Sequence, residues 1–311
     1  MPQYRKLKTL QINDIRHLAR LLGTPVLQLV SANDAVRANE DAWYRTRFEP
    51  KKSGNGMREI NPPLRKLKLL QRRINRLLQR LLIPVAVKGG IKGHSHLDHA
   101  AAHTGKTVVI TMDLADFYPS VKSGRVYDIF CQRLGCSPDI ARRLTRLTTY
   151  HGHLPQGAPT SGTLAVLAAE RLAVRLTHLA EAYHATFTMY MDDMAFSANY
   201  LLPKSFQAKV KEIIEQERFK LKESKTEEMV ATEREQLVTG LKVNNGLDIP
   251  SEALADLREN IAVLSTGTDE KLARSLAGKL NYWTQPALRS RKVTRLQNRY
   301  RRVIAGDSAD E

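Results

Sequence analysis

Apolar residues recur at helical spacing over residues 7–22, and again over residues 64–82, where Leu64, Leu67, Leu70, Ile74, Leu77 and Leu81 share one face. Between them, residues 43–57 look extended and turn through Ser53-Gly54-Asn55-Gly56, which predicts a hairpin. Residues 107–112 form a short β-branched run, the pattern of a buried strand, and it ends directly at Asp113. Residues 163–182 predict one long, mostly apolar helix. Residues 187–197 predict two short strands with polar residues at their junction, and residues 206–219 an amphipathic helix. From Ser251 the pattern is helical to the end of the chain. Helices at both ends with strands in the middle predict an α+β architecture. No internal repeat is visible, which excludes solenoids and propellers.

Charge changes this picture. The 311 residues are 42% hydrophobic and 26% charged, an ordinary globular composition, but 49 Lys and Arg against 32 Asp and Glu leave a net +17 and a pI near 9.9. A polyanionic partner is expected. The positive charge is patterned. The second face of residues 64–82 carries Arg65, Lys66, Lys68, Arg72, Arg73, Arg76 and Arg80 with no acid among them. Solvated helix faces mix signs because opposite charges at i and i+4 support each other, so a one-signed face points to phosphate contact. Residues 289–302 hold seven Lys or Arg, Arg295 and Arg299 among them, and no acid, with apolar residues at helical spacing. They read as a helix laid along a nucleic-acid backbone. Two cysteines, Cys131 and Cys136, exclude a disulfide scaffold and a four-cysteine zinc site and suggest a reducing compartment. No apolar run approaches the roughly 20 residues of a spanning helix, and Met1-Pro-Gln-Tyr-Arg-Lys lacks a signal-peptide core.

Two acidic sites stand out by their settings. Asp113 ends an apolar strand in Val-Val-Ile-Thr-Met-Asp113-Leu-Ala-Asp-Phe-Tyr118, and Asp192 and Asp193 sit between the apolar arms of Met189-Tyr-Met-Asp-Asp-Met-Ala-Phe196. Paired acids inside an apolar hairpin are costly to bury unless a cation compensates them. Carboxylates converging from strand ends can hold two divalent ions that activate a hydroxyl and stabilise leaving pyrophosphate. A surface Asp-Asp turn is the plain alternative.

Taken together the motifs resemble those of reverse transcriptases. Tyr190-Met-Asp-Asp193 is similar to their catalytic tetrapeptide and Asp113-x-x-Asp-Phe-Tyr118 to their first palm motif. Leu154-Pro-Gln-Gly-Ala-Pro-Thr-Ser161 resembles the Pro-Gln-Gly motif of the dNTP site, and all three stand in the family's order. The resemblance narrows to bacterial retron enzymes. Val238-Thr239-Gly240 matches their Val-Thr-Gly motif, and His99-Ala-Ala-Ala-His103 stands where they carry Asn-Ala-x-x-His. Arg58-Glu-Ile-Asn-Pro62 and Leu67-Lys-Leu-Leu-Gln71 resemble their fingers region. The chain departs from the pattern at Gly162, where the family has Pro, at Met191, where many retron enzymes have Ala, and at His99 in place of Asn.

The resemblance implies a right-hand polymerase: N-terminal helices and fingers over residues 1–107, a palm over 108–238 with a helical insertion at 122–149, and a helical thumb over 239–311. It implies RNA-directed DNA synthesis with two Mg²⁺ ions on Asp113, Asp192 and Asp193, the Leu114 carbonyl completing one shell. Asp116 reads as structural beside the triphosphate. Tyr118 matches the aromatic that leaves no room for a 2′-hydroxyl. Gln156 and Gly157 match the nucleotide pocket, Arg58 a triphosphate clamp, and Lys225 a proton donor to pyrophosphate or a phosphate-neutralising lysine. Met191 would pack beneath the primer terminus.

His94, His96, His99 and His103 cluster within ten residues, with Asp98 among them, so zinc is one reading; RNA contact through His103, or a structural role, is the favoured one. Gly89-Gly90-x-x-Gly93 lacks the strand–loop–helix frame of a phosphate cradle. The family further implies a cytoplasmic bacterial protein acting on a cognate structured noncoding RNA, with a branched RNA–DNA product. A separately encoded effector in phage defence is also implied. An intron-like or protein-primed reverse transcriptase and a non-catalytic RNA-binding scaffold are the rival readings.

Overall fold

The computed structural model describes residues 9–50, 56–81, 83–267, 269–285, 288 and 290–305. Helix α1 (Ile15–Leu22) starts well inside the expected stretch, because Asp14 caps it by accepting the His17 N–H at 2.8 Å. Gly23, in the left-handed region, ends it, and α2 (Val26–Ala38) follows. Strands β1 (Arg47–Pro50) and β2 (Met57–Ile60) pair antiparallel as expected; of the turn between them only Gly56 lies within the described residues. Helix α3 (Arg65–Leu78) buries Leu67, Leu70, Ile74 and Leu77 and leaves Arg72 and Arg76 exposed.

After α4 (His96–Ala101) comes β3 (Val108–Asp113), then α5 (Phe117–Ser120), α6 (Ser123–Asp128) with a π-type extension, and α7 (Pro138–Thr148). The single long helix expected at 163–182 is two helices, α8 (Ser161–Ala168) and α9 (Glu170–Ala182). Arg125 donates to the Ala168 carbonyl at 2.6 Å, so that carbonyl is satisfied from outside and the ladder breaks there. Strands β4 (Thr186–Tyr190) and β5 (Asp193–Ala198) form the expected hairpin, and α10 (Lys204–Gln216) the expected helix. The short strands β6 (Glu227–Val230), β7 (Leu237–Val238) and β8 (Leu241–Lys242) follow, and α11 (Ser251–Ser265), α12 (Glu270–Trp283) and α13 (Arg291–Ala305) complete the chain.

Four strands make one antiparallel sheet in the order β4-β5-β3-β6. β3 is central and its side chains alternate between two cores. Val108, Ile110 and Met112 join the main cluster with α3, α7, α8, α9 and α10, whereas Val109 points into a smaller cluster with Ala195, Met229, Val238 and Leu288. Helices α11–α13 bury a third cluster of their own around Leu257, Ile261, Leu276 and Val293. No helix of the described residues is long and apolar enough to cross a membrane.

Candidate active site

The strand register brings the acids together. β3 and β5 run antiparallel with Asp113 directly opposite Asp193, and the β4–β5 turn places Asp192 one residue away. The backbone locks this arrangement from both sides: Leu114 N–H donates to the Asp192 carbonyl at 3.0 Å, and Lys222 N–H to the Asp113 carbonyl at 2.8 Å. Met191 turns the corner in the left-handed region, φ 59°. Asp113 is buried at 7% exposure, and Asp192 and Asp193 are half-buried.

Three carboxyls in so little water cannot all ionise cheaply. Burial, then the hydrogen bond and charge of Asp113, push the Asp193 carboxyl up to about 8, and burial also raises Asp192. The Lys225 ammonium answers this charge by donating to Asp113 Oδ2. Burial disfavours that ammonium, but the hydrogen bond and the charges of the three acids outweigh burial and hold its pKa above the usual lysine value. Among the described residues no three His, Cys, Asp or Glu side chains stand gathered to grip a metal ion. The acids nonetheless form an all-oxygen, buried donor set short of positive charge, which suits a hard divalent cation.

Beside the acids lies an open cleft of about 730 Å³ whose lining includes Tyr118, Gln156, Gly157, Met191, Lys68 and Arg72. Tyr118 is half-buried; burial and then the charge of Asp192 raise its hydroxyl to about 12. Gly157 sits at φ 101°, where a Cβ would come within 3.1 Å of Ile60, and the preceding Gln156 carbonyl accepts from Asn61 N–H at 2.7 Å. The cleft wall is therefore stitched to β2. Arg58, on β2, is exposed, and its charge offsets a little of the rise that burial imposes on Tyr118 and Asp192, although it does not line the cleft. Arg47 does line it, and no sequence signal singled that residue out. Asp116 is exposed and left-handed at φ 44°, ahead of α5.

Residues 50–254 match the family described as reverse transcriptase (RNA-dependent DNA polymerase). The chain belongs to that family. Its fold is the right-hand polymerase fold, with mixed helix and sheet. It is 34% identical over 260 residues to the retron Mx65 reverse transcriptase of Myxococcus xanthus, covering 77% of this chain and 60% of that protein. The retron Se72 reverse transcriptase of Salmonella heidelberg is 30% identical over 197 residues, covering 61% and 52%. The retron Ec86 reverse transcriptase of Escherichia coli is 34% identical over 192 residues, covering 58% and 60%. The chain thus spans at most 60% of the length of these relatives. A solved telomerase from Candida albicans superposes with a TM-score of 0.48 at 10% identity, over 86% of this chain and 57% of that one, too loosely to carry weight.

Two residues expected to meet RNA, His103 and Val238, have buried side chains. His103 is fully buried: its Nε2 lies 2.7 Å from the Thr188 hydroxyl and its Nδ1 2.7 Å from that of Ser197. His99 closes the same network, with Nδ1 2.6 Å from Thr188 Oγ1. RNA contact by His103 is thereby corrected to a structural role: both its ring nitrogens meet hydroxyls of the β4–β5 hairpin, as does one nitrogen of His99. Burial drives each imidazole down to about 3, so both are neutral. The Val238 side chain is likewise buried in the core; only Thr239 and Gly240, both left-handed, reach the surface. Arg73 is half-buried and turns to the α1–α2 junction, where it donates to the Gly23 carbonyl at 2.7 Å. Arg72, Arg76, Arg295 and Arg299 remain exposed.

Proposed function

We propose that this chain is a retron reverse transcriptase, an RNA-directed DNA polymerase that copies a structured noncoding RNA. The observation that carries the reading is the register pairing of Asp113 with Asp193, with Asp192 beside them and a nucleotide-sized cleft alongside. In this reading Asp113, Asp192, Asp193 and the Leu114 carbonyl hold two Mg²⁺ ions. When bound, such ions supply Lewis-acid charge to an attacking hydroxyl and a leaving pyrophosphate.

The protein's own groups do the rest. Tyr118 closes the sugar side of the cleft and selects dNTPs. Gln156 and the Cβ-free backbone of Gly157 admit the nucleotide closely. Arg58 clamps the triphosphate, and Lys225 delivers a proton to the pyrophosphate. Arg72, Arg76, Arg295 and Arg299 neutralise backbone phosphates, with the Thr239-Gly240 turn beside the RNA. Fingers occupy residues 1–107, the palm 108–238 and the thumb 239–311.

The similarity to retron enzymes supports the finer steps: priming from a 2′-hydroxyl, a branched RNA–DNA product, a cytoplasmic bacterial setting, and a separately encoded effector in phage defence. The test is dNTP incorporation on a primed RNA template with Mg²⁺, comparing wild type with the Asp192→Asn/Asp193→Asn variant. Synthesis by wild type alone is expected; its absence on both a generic template and the RNA encoded beside the gene sinks the reading. A branch-specific nuclease digest of the product then separates 2′-hydroxyl priming from protein or free 3′-hydroxyl priming.

A further inference from the structure

The pair Gly89-Gly90 has no role in the site above, yet it touches the catalytic turn. Residues 86–90 run alongside β4: Met189 N–H donates to the Ala86 carbonyl at 2.9 Å, Lys88 N–H donates to the Met189 carbonyl at 2.7 Å, and Val87 bridges Met189 in parallel. The strap then crosses the turn itself. A Cβ on Gly89 would stand 2.3 Å from Met191 N and 2.9 Å from the Tyr190 carbonyl carbon, both backbone atoms that cannot swing aside. Gly90, left-handed at φ 68°, would bring a Cβ to 3.1 Å from the Gly162 carbonyl and 3.2 Å from Met191 Sδ. Met191 is itself left-handed, as the first of the two residues between the paired Tyr190 and Asp193 must be, and a long side chain there needs room that the strap leaves open.

The far end of the strap is anchored by one side chain. Gln79 donates through Nε2 to the Gly90 carbonyl at 2.8 Å and to Thr163 Oγ1 at 2.6 Å, and its Oε1 accepts from Lys92 N–H at 2.9 Å. The Thr163 hydroxyl in turn donates to Asn75 Oδ1 at 2.8 Å. A single glutamine at the end of α3 therefore ties together α8, the strap and the helix that exposes Arg72 and Arg76.

We propose that Gln79 is a positioning residue: through Gly90 and Gly89 it holds the Tyr190-Met191-Asp192 turn in its left-handed form and so sets where Met191 forms the floor of the nucleotide cleft. The proposal rests on the polymerase reading above for its kinetic consequence, and on the strap geometry alone for its structural one.

Two measurements test it on the full chain. The first is single-dNTP incorporation with Gln79→Met, which keeps the volume but no hydrogen bond, and Gln79→Glu, which keeps the Lys92 acceptor but loses both donors. The dNTP KM is expected to rise about five- to tenfold in both, as for the loss of one net hydrogen bond. The rise should be non-additive with Met191→Ala, because both changes act on the same floor. An unchanged KM with kcat and folded fraction falling together overturns the proposal in favour of a merely structural glutamine. The second is hydrogen exchange, which needs no activity. The peptide carrying Met189 to Met194 should exchange faster in Gln79→Met while peptides of α13 do not change, and equal rates in that peptide overturn the proposal. A wild type that incorporates nothing defeats the polymerase reading alone, since the exchange result still decides the strap.

Discussion

The Lys225 ammonium rests on Asp113 Oδ2, reaching to the end of β3 from a short turn ahead of β6. It contacts Asp113 and acts on Asp192 and Asp193 through its charge. Lys225→Ala is expected to lower single-nucleotide incorporation by about 100-fold, within the range of lost general-acid catalysis. Lys225→Arg should recover folding but little of the rate, since a guanidinium does not release its proton. Rapid-quench kinetics on a primed RNA template read both.

Asp193→Asn separates stability from activity. A carboxyl raised to about 8 contributes stability that is full below its unfolded value and lost as pH rises through 8. Replacing it removes that loss, so metal-free Asp193→Asn should melt higher than wild type at pH 9 and about equally at pH 5. Incorporation should meanwhile be abolished. Calorimetry at the two pH values checks the sign.

The buried histidines act in the opposite direction. His99 and His103, held down to about 3, bind protons in the unfolded chain near 6.5 but not in the folded one. Stability therefore falls as pH drops from 6.5 towards 3, by about 1.4 kcal/mol per pH unit for each ring. His103→Gln should flatten this slope at some cost at neutral pH, because the Thr188 and Ser197 hydroxyls lose a partner. Urea titrations across the acid range measure it.

Tyr118→Ala opens the sugar side of the cleft. Discrimination of dNTP over rNTP, taken as the ratio of kcat/KM values, is expected to fall about 10- to 100-fold, while dNTP incorporation changes less. Competing dNTP and rNTP in one reaction reads the ratio directly.

Arg295 and Arg299 lie exposed on α13. Each alanine substitution should reduce the magnitude of the slope of log K against log salt by about one, with affinity lost evenly across sequences. Filter binding of an RNA–DNA duplex at several salt concentrations distinguishes this from a solubilising segment, which leaves the slope unchanged.

Much of this site was legible because its signals are local. The strand ending at Asp113 and the Asp192-Asp193 hairpin announce themselves by apolar arms around acids, and the register of β3 on β5 then does the convergence. What stayed hidden depends on partners distant in sequence. Arg73 sits on the same cationic helix as Arg72, and only the packing of α1 and α2 against α3 turns it towards Gly23. Helical spacing left His99 and His103 open between RNA contact and a structural role, and only Thr188 and Ser197, about 90 residues away, supply the partners that decide for the latter. The break at Ala169 was invisible because Arg125 causes it. Gly89-Gly90 carried no familiar frame, since its purpose is clearance for a turn a hundred residues further on.

The core shared by α11–α13 decides how far a change in that region is transmitted. Leu257, Ile261, Leu276 and Val293 pack with one another, and none of them belongs to the cluster beneath the carboxylates. The unit meets the sheet through α12, whose Tyr282 and Trp283 pack against the cluster of Val109 and Ala195. A change at Leu257 or Ile261 is therefore felt inside the three-helix unit, whereas a change at Trp283, which touches both clusters, carries through to the strands that hold the acids.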